Sequence, residues 1–218
     1  MSPMSLLHRV RILARPRYRA NWIRGRYSAD GFAWFVRGTN FPMTHEEWLR
    51  SLVEPFSGEL FVDVGAHTGT WAIRATRSFD RVVAFEPDPN INRMLRISVA
   101  MNRLGNISVF QTALSDAEGE IVSYSKEQRG RVYVPVRTLD SFRLRPSVLK
   151  IDTEGNELPV LLGASETLRE RPRIVVETHS FSESSLRARG YLEGRGYSVK
   201  EFKRRNRFNQ TQCWLLCT

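Results

Sequence analysis

The sequence predicts an α/β fold: a mostly parallel sheet with helices on both faces. Three observations carry that expectation. Short apolar runs alternate with amphipathic stretches from Glu59 onward. The first run breaks into a glycine turn and resumes at helical spacing. Acidic residues stand at the ends of successive runs, where open sheets of this kind bind ligands. The chain has 218 residues, 41% of them hydrophobic and 26% charged, which suits one domain with an N-terminal elaboration and excludes collagen-like, low-complexity and wholly disordered classes.

Taken in order, Leu6, Leu7, Val10, Leu13 and Ala14 recur at helical spacing while arginines fall elsewhere on the wheel. This is a short amphipathic helix, interrupted at Pro16, that serves either as a lid on the domain or as an arm lying on a membrane or partner. The aromatic stretch from Trp22 to Phe41 has no clear period, and no element is assigned to it. THEEWLRSLVEPF restores a helix: Thr44 and Glu47 fit a capping box, and Trp48, Leu49, Leu52 and Val53 make its apolar face.

LFVDV is the first strand, GAHTG a tight turn, and Trp71, Ala72, Ile73 and Ala75 mark a helix. RVVAFE is the second strand and ends at Glu86. Asp88 then caps a helix with Pro89 at its first position and Ile91, Met94, Leu95 and Val99 as apolar contacts. ISVFQTAL reads as one third strand, SDAEGEIVSYS as a hairpin-like excursion, and VYVPVRTLDSF as the lead into a fourth strand, VLKID, ending at Asp152. A helix from about Glu157 precedes PRIVVETH, the fifth strand. SSLRARGYLEGRG is a helix, and YSVKEF and TQCWLLCT are a sixth and seventh strand that pair antiparallel. Residues 1–58 therefore form a basic, partly helical extension and residues 59–218 the main domain.

The formal charge of +10 is uneven: residues 1–37 carry eight Arg against one Asp, and residues 187–207 eight basic against two acidic side chains. Two basic ends flank a mildly acidic body. They suit an anionic partner, a nucleic acid or a membrane surface, or form a plain solvated surface. Cys213 and Cys217 are too far apart along a strand to bridge and read as small buried hydrophobes of a reducing compartment. No stretch approaches the roughly 18 apolar residues of a spanning helix, so the expected setting is cytoplasmic.

The strand exits supply the candidate site: Asp63 with the glycine turn, Glu86, Ser115 and Asp116, Asp152 and Glu154, Glu177 and His179. Gly65 and Gly69 allow a tight turn and close approach of a ligand, with unpaired amide donors expected at the helix start beyond. Glu86, after the next strand, suits both hydroxyls of a ribose. Each feature also has a plain reading, the glycines as a structural turn and Glu86 as a helix-capping charge.

FVDVGAHTG, AFEPDP, TALSD, TLDSF, KIDTEGNE and IVVETH, in that order and spacing, resemble the FkbM family of S-adenosylmethionine-dependent methyltransferases over about residues 59–180. KIDTEGNE after the glycine turn is the most specific part. The resemblance implies a Rossmann-like methyltransferase sheet with a reversed seventh strand, S-adenosylmethionine as cofactor, and methyl transfer to an oxygen of a small-molecule acceptor such as a sugar. It also implies that Asp63, Gly65 and Gly69 lie along the methionine part of the cofactor, with Ala66 and His67 in the same loop. Glu86 would hold the ribose, and Ser115 with Asp116 would border the adenine. His67 stands where the family commonly has a small amide, and is either a contact of the cofactor loop or a neutral surface side chain.

Transfer to a hydroxyl is an in-line displacement that needs the acceptor oxygen aligned and its proton removed. Asp152 and Glu154 are the first candidates for that base, then His179, with Glu177 in the same pool. Asp152 and Glu154 alternatively organise the turn after their strand, and Glu177 alternatively pairs with an Arg. Glu157 is expected to begin a helix and Asp140 to cap a turn. A divalent cation at this acidic rim is the less favoured addition. A methyltransferase acting on a nucleic acid or peptide recruited by the basic ends, and a non-catalytic binding module of the same fold, are the alternatives.

Overall fold

In this computed structural model the described residues are 24–29, 31–37, 56–125, 130–179, 183–205 and 211–218. The helices expected over residues 6–14 and 44–55 lie outside them. The first described element is an antiparallel hairpin of β1 (Arg24–Ala29) and β2 (Phe32–Arg37). Then come β3 (Gly58–Val64), α1 (Thr70–Ala75), β4 (Phe79–Phe85), α2 (Pro89–Met101) and β5 (Ile107–Phe110). They are followed by β6 (Ala113–Leu114), β7 (Gly119–Ser125), β8 (Gly130–Arg137) and β9 (Val148–Ile151). The chain closes with α3 (Glu157–Leu162), β10 (Arg173–His179), α4 (Glu183–Gly194), β11 (Val199–Arg205) and β12 (Thr211–Cys217).

Seven strands make the central sheet in the order β11-β12-β10-β9-β3-β4-β5. β12 runs antiparallel to both its neighbours, whereas the β10-β9, β9-β3, β3-β4 and β4-β5 pairs are parallel. Side chains alternate along each strand, so the sheet has two apolar faces. Leu60, Val62, Val64, Leu149, Ile151, Ile174 and Val176 pack with Val160 and Leu161 of α3 and Ala188 and Leu192 of α4. On the other face Phe61, Val82, Ala84 and Val148 pack with Ala72 and Ile73 of α1 and Leu95 of α2. The sheet is thus covered by helices on both sides, and its strand order reverses between β3 and β9. A crevice at the carboxyl ends of these two strands follows from that topology.

The start of α2 follows its sequence signal. Asp88 accepts from the amides of Asn90 and Ile91 at 2.8 and 3.2 Å, and Pro89, whose missing N–H costs nothing there, takes the first helical position. The stretch ISVFQTAL departs from expectation. It is two strands in two sheets: β5 ends at Phe110, and β6 joins β8 and β7 in a separate three-stranded sheet. Between them the buried Thr112 donates its hydroxyl to the Pro135 carbonyl at 2.8 Å, which turns the chain away from the main sheet.

The β1-β2 hairpin is packed on the domain. The Asn102 side chain both accepts from the Ala33 amide at 2.8 Å and donates to the Ala33 carbonyl, and Ser98 accepts from the Phe35 amide at 2.9 Å. Ser98 of α2 and Asn102, which caps that helix, therefore satisfy backbone groups of β2 as a neighbouring strand would. Phe32 and Trp34 are buried in the core under α1 and α2, with the guanidinium of Arg77 over the Phe32 ring at 4.0 Å.

Asp140 follows β8 and anchors the loop before β10. Its carboxylate accepts from the amide and hydroxyl of Thr167, both at 2.8 Å, from the Glu166 amide at 2.9 Å and from the Ser165 hydroxyl at 3.3 Å. Asp140→Ala is expected to cost about 2 kcal/mol of stability, as loss of a charged cap does; denaturant unfolding of the two proteins measures it.

Candidate functional site

The turn after β3 is shaped by two glycines with left-handed backbone, Gly65 at φ 77° and Gly69 at φ 93°. Their need for glycine is local packing. A Cβ on Gly65 would lie 1.8 Å from the Asp152 carbonyl oxygen, and one on Gly69 2.4 Å from Leu95 Cδ1. The amides of Gly65 and Ala66 both donate to the Phe85 carbonyl, at 3.0 and 2.9 Å, and the Gly69 amide to the Ala66 carbonyl at 2.8 Å. The expected row of unpaired donors is therefore partly consumed within the turn, because the turn folds back over the end of β4.

Glu86, the residue immediately after β4, is 6% exposed and uses both carboxylate oxygens. Oε2 accepts from the His67 amide and Oε1 from the Asp88 amide, each at 2.8 Å. Burial pushes its carboxyl up to about 7, against the two amide hydrogen bonds that favour the charge. His67 itself sits at φ 51°, and burial lowers its imidazole below the ordinary value, so it is neutral at pH 7.

Between the turn and β9 lies a buried charge cluster. The Lys150 ammonium, 3% exposed, is 3.1 Å from Asp63 Oδ1 and 3.4 Å from Asp152 Oδ2, and donates to the Gly65 carbonyl at 3.1 Å. Asp63 is wholly buried. Desolvation raises its carboxyl, and the Lys150 charge opposes that rise. Lys150 is buried at these strand exits and is not among the residues that the sequence singles out. Its signal was available: in VLKID, Lys150 and Asp152 fall two apart, on the same face of a strand. Removing the cation alone strands a buried carboxylate. Lys150→Met is therefore expected to cost about 3–5 kcal/mol, and the charge-balanced pair D63N/K150M much less; thermal unfolding of both variants measures the difference.

The other candidates are placed as follows. Asp152 lies at the end of β9, with 22% of its side chain exposed, and its backbone amide donates to the Val64 carbonyl at 2.9 Å. Glu154 is exposed, at φ 56°, in the turn beyond. That turn is organised by Glu157, whose buried Oε1 accepts from the Gly155 amide at 2.8 Å and from the amide and hydroxyl of Thr153. Ser115 and Asp116 follow β6, the Ser115 hydroxyl donating to Asp116 at 3.1 Å. The Asn156 side chain donates to the Leu114 carbonyl at 2.9 Å, which ties this exit to the exit of β9. Glu177 is buried within β10, and His179 ends that strand opposite Gln212, its side chain outside the described set. Among the described residues no three His, Cys, Asp or Glu side chains gather as metal ligands. No helix among them is long and apolar enough to cross a membrane.

The β3 and β4 exits fit a nucleoside-bearing cofactor. A carboxylate stands at the tip of β4, and the hydroxyl of Thr68, within the glycine turn, is buried without a hydrogen-bond partner. The chain is 27% identical over 146 residues to the hexuronic acid methyltransferase AglP of Haloferax volcanii, a match spanning 59% of each protein, so it covers little more than half of that relative. Methyltransferase FkbM from Methylobacillus flagellatus KT is similar in structure with a TM-score of 0.58 at 23% identity, over 78% of this chain and 46% of that one. M. jannaschii TYW2, in complex with AdoMet, gives a TM-score of 0.59 at 14% identity, over 89% and 84% of the two chains. These structural likenesses establish the Rossmann-like methyltransferase fold. Residues 63–199, well over half of the sequence, match the methyltransferase FkbM domain. The chain belongs to that family, whose cofactor is S-adenosylmethionine.

Proposed function

We propose that this chain is an S-adenosylmethionine-dependent O-methyltransferase acting on a hydroxyl of a sugar or similar small metabolite. The observation that carries the reading is the placement of Asp152 at the β3-β9 reversal, beside the glycine turn and within reach of the Lys150 ammonium. Glu86 would hold the ribose hydroxyls, Asp63 and the turn Gly65, Ala66, His67 and Gly69 would face the methionine part, and Ser115 and Asp116 would border the adenine. Bound there, the cofactor supplies an electrophilic methyl group on a sulfonium. The protein's part is to align the acceptor oxygen and take its proton. Asp152 is the favoured base, since it combines partial burial with a position at the reversal, whereas Glu154 is exposed in the turn beyond. His179, two strands from β3, follows.

The name of the Haloferax relative supports an acidic sugar as the first acceptor to try. Residues 59–218 would form the catalytic domain and residues 1–58 a partly helical extension, of which the hairpin at 24–37 is packed against α2. Incubation with methyl-labelled S-adenosylmethionine and a panel of hexuronic acid glycosides, neutral sugars and RNA tests the acceptor class. Label is expected in the carbohydrates and lost in Asp152→Asn. Label in RNA alone, or in no carbohydrate, contradicts the reading.

A further inference from the structure

We propose that Lys150 is a positioning residue that sets Asp152 against the cofactor turn through one shared cation, a role that rests on the methyltransferase reading above. The fold places the participants. Asp63 and Lys150 are register partners in the parallel β3-β9 pair, Asp152 stands two residues after Lys150 on the same face, and Gly65 follows β3 directly. The ammonium donates a hydrogen bond to the Gly65 carbonyl at 3.1 Å and lies at ion-pair distance from two carboxylates, Asp63 at 3.1 Å and Asp152 at 3.4 Å. Each acceptor belongs to a different piece of the site, namely a strand end, the turn and the opposite strand exit.

Lys150 is flanked by Leu149 and Ile151, both fully buried, and is itself 3% exposed. An apolar side chain would fill such a position without any desolvation cost. What the lysine adds is directed contact with groups on two strands and the turn between them. It is not the base, because an ammonium between two carboxylates has no lone pair to accept a proton. Mere neutralisation of Asp63 is the rival role, and it involves neither Asp152 nor the turn.

Four proteins separate the two roles: wild type, D152N, D63N/K150M and the triple variant, each titrated with S-adenosylhomocysteine and each followed by hydrogen–deuterium exchange of residues 63–69. D63N/K150M is expected to bind at least about 10-fold more weakly than wild type. D152N is expected to weaken binding a few-fold and to speed exchange across residues 65–69 several-fold, and to add nothing in the D63N/K150M background. An equal effect of D152N in both backgrounds, or unchanged exchange at residues 65–69 in D152N, overturns the role. If D63N/K150M does not fold, the exchange comparison of D152N with wild type decides alone. Failure of wild type to bind S-adenosylhomocysteine while D152N still loosens the turn would refute the cofactor reading and leave the positional link standing.

Discussion

Gly65→Ala is expected to destabilise the protein by about 2–4 kcal/mol and to weaken S-adenosylhomocysteine binding by at least about 10-fold. Two costs combine. The backbone at φ 77° disfavours any side chain by roughly 1–2 kcal/mol. The new methyl would also sit 1.8 Å from the carbonyl oxygen of Asp152, a backbone atom held by the β3-β9 ladder, so overpacking adds about 1–3 kcal/mol. Relief requires the turn and the β9 exit to move apart, which displaces Asp152 relative to the turn. Gly190→Ala is the matched control: it lies in α4 with nothing within 4 Å of the added carbon, and should be neutral or slightly stabilising. Thermal unfolding and calorimetric titration of the two variants give both numbers.

The second large effect is a pair of opposite pH trends on Glu86. Its carboxyl is raised from an ordinary 4.5 to about 7 in the folded chain. Below pH 4.5 the carboxyl is protonated in both states and burial exacts no ionic cost. As pH rises from 4.5 to 7 the unfolded chain loses its proton first, the native state binds more protons, and stability falls. The gap corresponds to a loss of about 3 kcal/mol above pH 7, at 1.36 kcal/mol per pH unit. Asp63, also raised by burial, contributes in the same direction. With Glu86 on the ribose as proposed, cofactor affinity should run the other way, because an ionised carboxylate is the better acceptor for hydroxyls: binding tightens about 10-fold between pH 6 and pH 8. Glu86→Gln should flatten both trends. The comparison is the slope of the melting temperature and of affinity against pH, since the amide NH2 of glutamine faces a backbone N–H and shifts the absolute values.

Much of the framework is written locally. Asp88 before Pro89 and a spaced apolar face define the start of α2, and alternation of apolar runs with amphipathic segments gives the order of the main strands. Glu86 and Asp152 were legible as exit residues because parallel strands expose their carboxyl ends to ligands. What escaped depends on partners distant in sequence. Lys150 shares a strand face with Asp152 in VLKID, but its ion pair with Asp63, 87 residues earlier in the chain, emerges only when the two strands are paired. The break between β5 and β6 depends on a hydroxyl bond from Thr112 to Pro135 in another strand. The β1-β2 hairpin did carry a local signal, Asp30-Gly31 between two six-residue runs, a common two-residue hairpin turn. The second run shows no period-2 alternation because Phe32, Ala33 and Trp34 are all buried, with Phe32 and Trp34 beneath guanidinium groups of a neighbouring helix and the loop after it. The glycines mark a turn in the sequence, but their steric reason lies in Asp152 and Leu95.

The measurement that bears most directly on the central reading is calorimetric titration of S-adenosylhomocysteine into the wild-type chain and Glu86→Ala at pH 8. A cofactor crevice at the β3 and β4 exits predicts saturable binding at one site in the wild type, weakened by at least about 10-fold in Glu86→Ala. Absence of saturable heat in the wild type, or equal affinity in the two proteins, would contradict it.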